Sequence, residues 1–271
     1  MDKIESKFVT AYNRFLKAPL FRAQAKQGER KIVHKYKNIG EMIIETSADK
    51  LPDSSDFEKY LIIMYAIQMK RIKQFKARDE ENIIFVEVPM SVFRELDRND
   101  YQGIVKALKN IASVTVSFKG EKINKKGKKV ELHTTTHIIH EVELNEDTNT
   151  LKVLLNKKLY ENIYNKHKTL RVHLKDYLKL QGNAKNIYAI LTGNSSKTQM
   201  NLQTIADRAL VQNERQRDTI RSVKNALKTI NNTTEIFKNR LEILKDKVKI
   251  RRKKQQKKVQ KTPQKTPPKE A

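Results

Sequence analysis

The sequence predicts an α+β chain made of two successive units and a basic C-terminal tail. Three observations carry this expectation. The same order of elements, helix, turn, helix and basic hairpin, occurs twice. The formal net charge is +26, from 57 Lys and Arg against 31 Asp and Glu, and there is no cysteine. At about 100 to 150 residues per domain, a chain of 271 residues has room for two cores of ordinary size.

The charge comes first because it bounds the partner. A chain this basic repels itself unless it meets a polyanion, and nucleic acid is the first such partner to expect. The tail from Arg251 to Ala271 holds nine basic residues, one acid, three prolines and a single valine, too little apolar surface to bury, so it is expected to be disordered. Removing its +8 leaves +18 on residues 1 to 250, so the folded part is itself a polycation. The absence of cysteine excludes disulfides, thiolate zinc sites and cysteine nucleophiles. No run of about 18 apolar residues occurs and Met1 to Ser6 has no signal-peptide character, so a soluble, cytoplasmic protein without a membrane partner is expected.

Along the chain, Phe8, Tyr12, Phe15 and Leu16 at helical spacing suggest a short helix ending at Ala18-Pro19, followed by an arm that is extended from Lys31 to Glu45. Residues 1–45 are taken as this N-terminal helix and arm. The first unit, 46–165, opens with Leu51-Pro52-Asp53-Ser54-Ser55-Asp56 as a turn or helix start. A long helix from Phe57 to about Phe75 follows, with a wide apolar face through Tyr60, Leu61, Met64 and Ile72. Ile83 to Pro89 reads as a strand, Ser91 as the cap of a helix through Leu96, and Asp100 as the cap of a helix through Ala112. Two strands, Val114 to Phe118 and Val130 to Leu144, flank a loop rich in lysine and glycine.

The second unit, 166–252, repeats the order. Helices are expected at Ala184 to Leu191, Met200 to Leu210 and Glu214 to Ile230, then a hairpin from Ile236 to Arg252 turning at Asp246-Lys247. Residues 253–271 form the basic tail. This is the order of two winged helix-turn-helix domains in tandem.

The third helix of the second unit is the most informative segment. At ~100° per residue, Ile220, Val223, Leu227 and Ile230 share one face. Arg217, Arg221, Lys224 and Lys228 line a flank, and Asn225 points outward. Such a helix suits the major groove, where Arg bonds two guanine acceptors and Asn pairs with adenine. A solvated amphipathic helix is the alternative, and the short helix before it and the basic hairpin after it favour the groove. In the first unit the corresponding helix buries Ile104, Leu108 and Ile111 and is expected to expose Gln102, Lys106, Lys109 and Asn110, with contact to bases, phosphates or another protein left open. Lys122, Lys125, Lys126 and Lys128 in the first hairpin loop, and Lys245, Lys247 and Lys249 in the second hairpin, can neutralise phosphates but specify little sequence.

Catalytic alternatives are weaker. His133, His137 and His140 precede Tyr160 and Tyr164, as in replication proteins that nick DNA. In one strand, however, His137 and His140 face opposite ways, and His133 lies about 13 Å from His137 at ~3.3 Å per residue, so neither pair can share a metal. The Tyr164/Lys168 spacing is common, and the tyrosines are expected in the core or an interface. There is no phosphate-cradling GxxxxGK[ST] loop. A chain that is not an enzyme and needs no cofactor or metal is expected.

Several segments resemble theta-type plasmid replication initiators. Asn183-Ala184-Lys185-Asn186-Ile187-Tyr188-Ala189-Ile190-Leu191 is similar to a helix of that family, Leu202, Ile205, Ala206 and Leu210 to its next helix, and Thr219 to Ile230 to its third. Lys17-Ala18-Pro19-Leu20-Phe21 and Leu51-Pro52-Asp53-Ser54-Ser55-Asp56 resemble elements of broad-host-range initiators of the TrfA kind. The likeness spans roughly residues 15 to 252. It implies two winged-helix domains and double-stranded DNA as partner, in the form of direct repeats of a plasmid origin. It also implies opening of the adjacent AT-rich DNA, contacts with host helicase or initiator proteins, and a monomer–dimer equilibrium through the first domain. The basic tail departs from that pattern. A tandem winged-helix transcription regulator and an RNA-binding protein are the alternatives.

Overall fold

The computed structural model describes residues 8–12, 20–24, 26–36, 40–78, 82–96, 101–123, 129–164, 169–194 and 198–251. The tail at 253–271 and Phe15, Leu16, Asp100, Lys125, Lys126, Lys128 and Lys168 lie outside these residues.

The N-terminal expectation is overturned. Phe8–Tyr12 is a strand, β1, not a helix, and it runs antiparallel to Thr169–His173 at the head of the second unit, with Phe8 opposite His173. Phe, Val, Thr and Tyr favour a strand once a partner edge is present, and helical periodicity in a short segment cannot register a partner this distant. The arm then turns inward at Leu20 and Phe21, 1% and 2% exposed, with the Phe21 ring edge-on to Phe57 at 6.3 Å. Lys31–Tyr36 (β2) and Gly40–Thr46 (β3) form the expected extended segment as an antiparallel hairpin.

The spine helix α1, Ser54–Gln68, starts and ends for identifiable reasons. Asp53 accepts from the amides of Ser55 and Asp56 while Asp56 accepts from the Asp53 amide, a reciprocal cap that satisfies first-turn donors. At the other end Lys70 has φ +55°, its amide bonds the Ile67 carbonyl and the Arg71 amide bonds that of Ala66. That left-handed stop ends the helix well before Phe75. Phe75 belongs instead to the edge strand β4, Gln74–Arg78, where it is 42% exposed and meets Tyr160 at 5.4 Å.

Strand β5, Ile83–Pro89, alternates strictly, with Ile84, Val86 and Val88 buried. Helix α2, Met90–Leu96, begins one residue before Ser91, so Ser91 is not its cap; the Met90 amide is satisfied by the Asn149 carbonyl. Helix α3, Tyr101–Ala112, matches expectation and buries Ile104, Leu108 and Ile111. Asn110 does not project outward, however, because its side chain bonds Asp56 and ties α3 to α1.

The long second strand is two strands in two sheets. Val114–Ile123 (β6) pairs with Lys129–His137 (β7), giving the order β2-β3-β6-β7. Ile139–Asn145 (β8) pairs instead with Thr150–Asn156 (β9), giving β4-β5-β9-β8. The neighbours Ile138 and Ile139 are both buried, at 1% and 0%. A flat strand cannot send consecutive side chains into one core, so the chain kinks there and changes sheet. Helix α4, Lys157–Tyr164, closes the unit.

Strand β10, Thr169–His173, leads into α5, Leu174–Lys179, and α6, Asn183–Gly193. Gln199–Asn201 is a short strand, β11, rather than the start of the next helix. Asn201 caps α7, Leu202–Ala209, by accepting from Gln203 and Thr204. Helix α8 runs from Gln216 to Thr233, and the wing comprises β12, Leu241–Ile243, and β13, Lys247–Ile250, in the order β11-β13-β12. The wing's tip is at Lys245 and Asp246, where the Leu244 amide bonds the Lys247 carbonyl. A continuous core joins both units. Across the seam the Arg22 guanidinium bonds Glu29 at 2.7 Å and the Leu210 carbonyl at 2.8 Å, and Asn186 donates to the carbonyls of Phe21 and Ala209.

Burial is the main cause that raises the Asp56 carboxyl from 3.8 to about 6, against the opposing hydrogen bonds from the Asp53 amide and Asn110. Well below pH 3.8 the group is protonated whether the chain is folded or not. As pH rises toward about 6 the unfolded chain ionises first, so this group lowers stability over that window and the loss is complete above it. Asp56→Asn keeps an oxygen for the Asp53 amide and lacks that loss. Urea unfolding should show the variant gaining on the wild type between pH 4.5 and 7; a pH-independent difference would refute the assignment.

Candidate nucleic-acid interface

Helix α8 is held at both ends and along one face. Val223, Leu227 and Ile230 are fully buried against the second core, with Thr219 and Ala226 beside them. Before its first turn the Asn213 amide bonds Thr219 Oγ1 at 3.1 Å. Past its last turn, the buried Asp176 carboxylate of α5 accepts from the amides of Glu235 and Ile236 at 2.9 and 3.0 Å, with His173 Nδ1 at 3.1 Å on the other side. Asn231 Oδ1 accepts from the amides of Arg240 and Leu241 at 2.9 and 2.8 Å, which fastens the wing's first strand to the helix. The Arg240 guanidinium extends that tie to the carbonyls of Ile236 and Arg251.

The opposite face is open. Arg217, Arg221, Asn225 and Lys228 are exposed and Lys224 is half-buried, and together with Gln216 and Ile220 they line one shallow trough. Among the described residues none of Arg217, Arg221, Lys224 or Lys228 is paired with a carboxylate. Elsewhere the exposed cations Lys31, Arg30 and Arg251 each meet an acid, Glu45, Asp49 and Glu242 respectively. Four cations on one helical face, none with a carboxylate partner among the described residues, form a positive strip.

The remaining sequence candidates are dispersed. Lys245 and Lys249 are exposed and Lys247 half-buried on the wing that Asn231 anchors. Lys106 and Lys109 are exposed on α3 of the first unit, apart from the α8 trough. Lys122 lies in β6, opposite Val130, with its side chain outside the described residues, as are Lys125, Lys126 and Lys128 entirely.

The two histidines His137 and His140 do not sit as expected of one flat strand. Because the chain kinks at Ile138, the His137 and His140 rings approach to 5.7 Å instead of facing opposite ways. Burial, and then the charge of His137, depress the His140 pKa. Among the described residues no three His, Asp or Glu side chains group as metal ligands. The sequence reading also passed over the carboxamides at the start of α8. Gln216 Nε2 donates to Gln203 Oε1 at 3.1 Å, and Gln203 Nε2 donates to Asp207 Oδ1 at 2.8 Å. The four-residue spacing of Gln203 and Asp207, which places two side chains on one helical face, was the available signal.

No protein-family model and no curated protein matches the sequence. In fold, the chain is similar to domain 2 and domain 3 of RctB, with a TM-score of 0.56 over 88% of this chain and 97% of that one at 11% identity. The chain has the fold of these two RctB domains. A second similarity, to the WH1 domain of MSBI1.176, a replication protein isolated from a multiple sclerosis patient, has a TM-score of 0.30 and 16% identity over 46% of this chain and 83% of that one. The tandem winged-helix architecture implied by the resemblance to replication initiators is thus the architecture present, with α6, α7, α8 and the wing as the second copy. No helix among the described residues is long and apolar enough to cross a membrane.

If Asn231 holds the wing to α8, Asn231→Ala leaves two amides without their acceptor and should cost about 1 to 3 kcal/mol. Thermal unfolding measures the loss. Hydrogen exchange should show the amides of Arg240 and Leu241 deprotected before the core of α8; exchange unchanged at these two positions would refute the anchoring role.

Proposed function

We propose that the protein is a plasmid replication initiator that binds the direct repeats of an origin as duplex DNA, promotes opening of adjacent AT-rich DNA and recruits host replication proteins. The observation that carries this reading is the open face of α8, where cations without acid partners flank an outward Asn on a helix whose other face is locked into a winged-helix core. In this reading Arg217, Arg221 and Asn225 contact base edges. Lys224, Lys228 and the wing lysines Lys245, Lys247 and Lys249 contact phosphates, and Lys106, Lys109, Lys122, Lys125, Lys126 and Lys128 supply the same service from the first unit. Phosphate contacts make the affinity steeply salt-dependent, with a slope of about −0.9 per contact.

The protein acts without covalent chemistry of its own. Binding free energy goes into bending the repeats, at about 1 to 6 kcal/mol per sharply bent site, and the neighbouring AT-rich pairs yield first. His173 and Asp176, the buried acid–base pair of the second unit, are engaged in holding the end of α8 rather than facing a substrate.

Arg217→Ala and Arg221→Ala should each weaken binding to the cognate repeat by about 1 to 3 kcal/mol and leave random duplex nearly unaffected. Equal losses on both DNAs, read by fluorescence anisotropy, would reassign these arginines to phosphates. Permanganate footprinting of a supercoiled origin plasmid should reveal unpaired thymines while both strands stay intact. A nicked plasmid carrying protein at a 5′ end, abolished by Tyr164→Phe, would replace this reading with a nickase.

A further inference from the structure

We propose that Gln216 is a specificity-determining residue for adenine, and that Gln203 and Asp207 act through it as positioning residues by fixing which way its carboxamide points. The inference rests on the duplex-DNA reading above and names the base chemistry that one position of α8 selects.

The direction follows from the donor and acceptor inventory. The Asp207 carboxylate has only acceptors, so the side chain 2.8 Å away must present a donor, and that is Gln203 Nε2. A carboxamide anchored through its nitrogen offers its oxygen on the other side. Gln203 Oε1 therefore faces Gln216, which in turn must donate from Nε2 at 3.1 Å. The charge at one end thus sets two amide orientations that would otherwise be interchangeable. Gln216 is left with Oε1 and one remaining N–H for an outside partner.

Gln216 is the first residue of α8, is exposed, and borders the same trough as Arg217 and Arg221. N-terminal residues of a groove-bound helix are those that reach base edges. In the major groove adenine presents the N6 amine as donor and N7 as acceptor, which matches the free oxygen and N–H of Gln216. Cytosine offers only an amine, and guanine and thymine place acceptor oxygens where Gln216 has its own. Water exclusion on docking lowers the local dielectric and strengthens the Asp207–Gln203–Gln216 chain.

The test is selection from a randomised duplex library by the full-length protein, followed by competition binding on the best site with each base substituted in turn. Wild type should prefer adenine over guanine at one position by roughly 5- to 150-fold. Gln216→Ala should lose that preference alone and keep the positions that depend on Arg217 and Arg221. Asp207→Asn removes the charge that fixes the direction. It should reduce the adenine preference at the same position, even though losing a negative charge raises affinity for every duplex, and its unfolding midpoint serves as the check on folding. A purely structural role for Asp207 would change affinity uniformly without moving one base preference. If wild type selects a site and Gln216→Ala or Asp207→Asn leaves its profile unchanged at every position, the relay is refuted while the duplex-DNA reading stands. If wild type selects no duplex sequence, both fall together.

Discussion

The seam between the two units depends on a buried carboxylate. Glu58, on the spine helix α1, is 6% exposed and forms an ion pair with Lys185 at the first turn of α6, which is also 6% exposed; Lys59 Nζ lies 3.6 Å from the same carboxylate. Removing charges from water costs several kcal/mol each unless a partner meets them, so an arrangement that separated these groups while keeping them dry would be strongly disfavoured. The pair therefore works less as a source of stability than as a constraint on geometry. The Arg22 fork onto Glu29 and Leu210, together with Asn186 bridging Phe21 and Ala209, applies the same constraint from the arm. These contacts determine where α8 sits relative to the first unit, and the wing follows through Asn231.

The parts of this fold that were legible in the sequence are those whose cause is local. The apolar stripe of α8, the helix Tyr101–Ala112 and the strand Ile83–Pro89 each follow from neighbouring residues. The unreadable parts have distant causes: Phe8–Tyr12 is a strand because an edge more than 150 residues away accepts it. The kink at Ile138 was encoded locally, in two adjacent isoleucines that break a period of two, and it was missed because the flanking Thr and Val residues extend the strand signal on both sides. The left-handed stop at Lys70 carries no glycine to announce it. For the candidate interface, the cations were legible and their common trough was not far from a helical wheel. The absence of acid partners was a fact of tertiary structure alone.

Rigidity and charge are divided between the two faces of α8. The inner face uses apolar burial, which is indifferent to salt, to set the helix position. The outer face uses ions that salt screens. A residue that reads a base must be held to within a fraction of an ångström, whereas a phosphate contact tolerates a flexible lysine. The distribution of side chains follows this division. Arginines, a glutamine and an asparagine stand on the anchored helix beside Lys224 and Lys228, and lysines alone, Lys245, Lys247 and Lys249, are the wing's phosphate candidates.

The same division bears on why so basic a chain folds at all. At +26, self-repulsion acts against compaction at every separation shorter than the screening length, roughly 10 Å at 0.1 M salt. Several surface cations outside α8 sit beside acids, which limits that repulsion over the rest of the described surface. On α8 the one acid, Asp218 in the first turn, forms no ion pair with these cations among the described residues, so much of the repulsion among Arg217, Arg221, Lys224 and Lys228 is retained in the free protein and is relieved when a polyanion lies along the trough. The helix tolerates this because its stability comes from the buried stripe and from the contacts made by Asp176, Asn231 and Thr219 at its ends, not from its solvent face. Local electrostatic frustration on a rigidly supported element is what a binding surface requires. Neutralising it within the chain, by an acid four residues from Arg221 for example, would stabilise the free protein and weaken the complex by the same physical term.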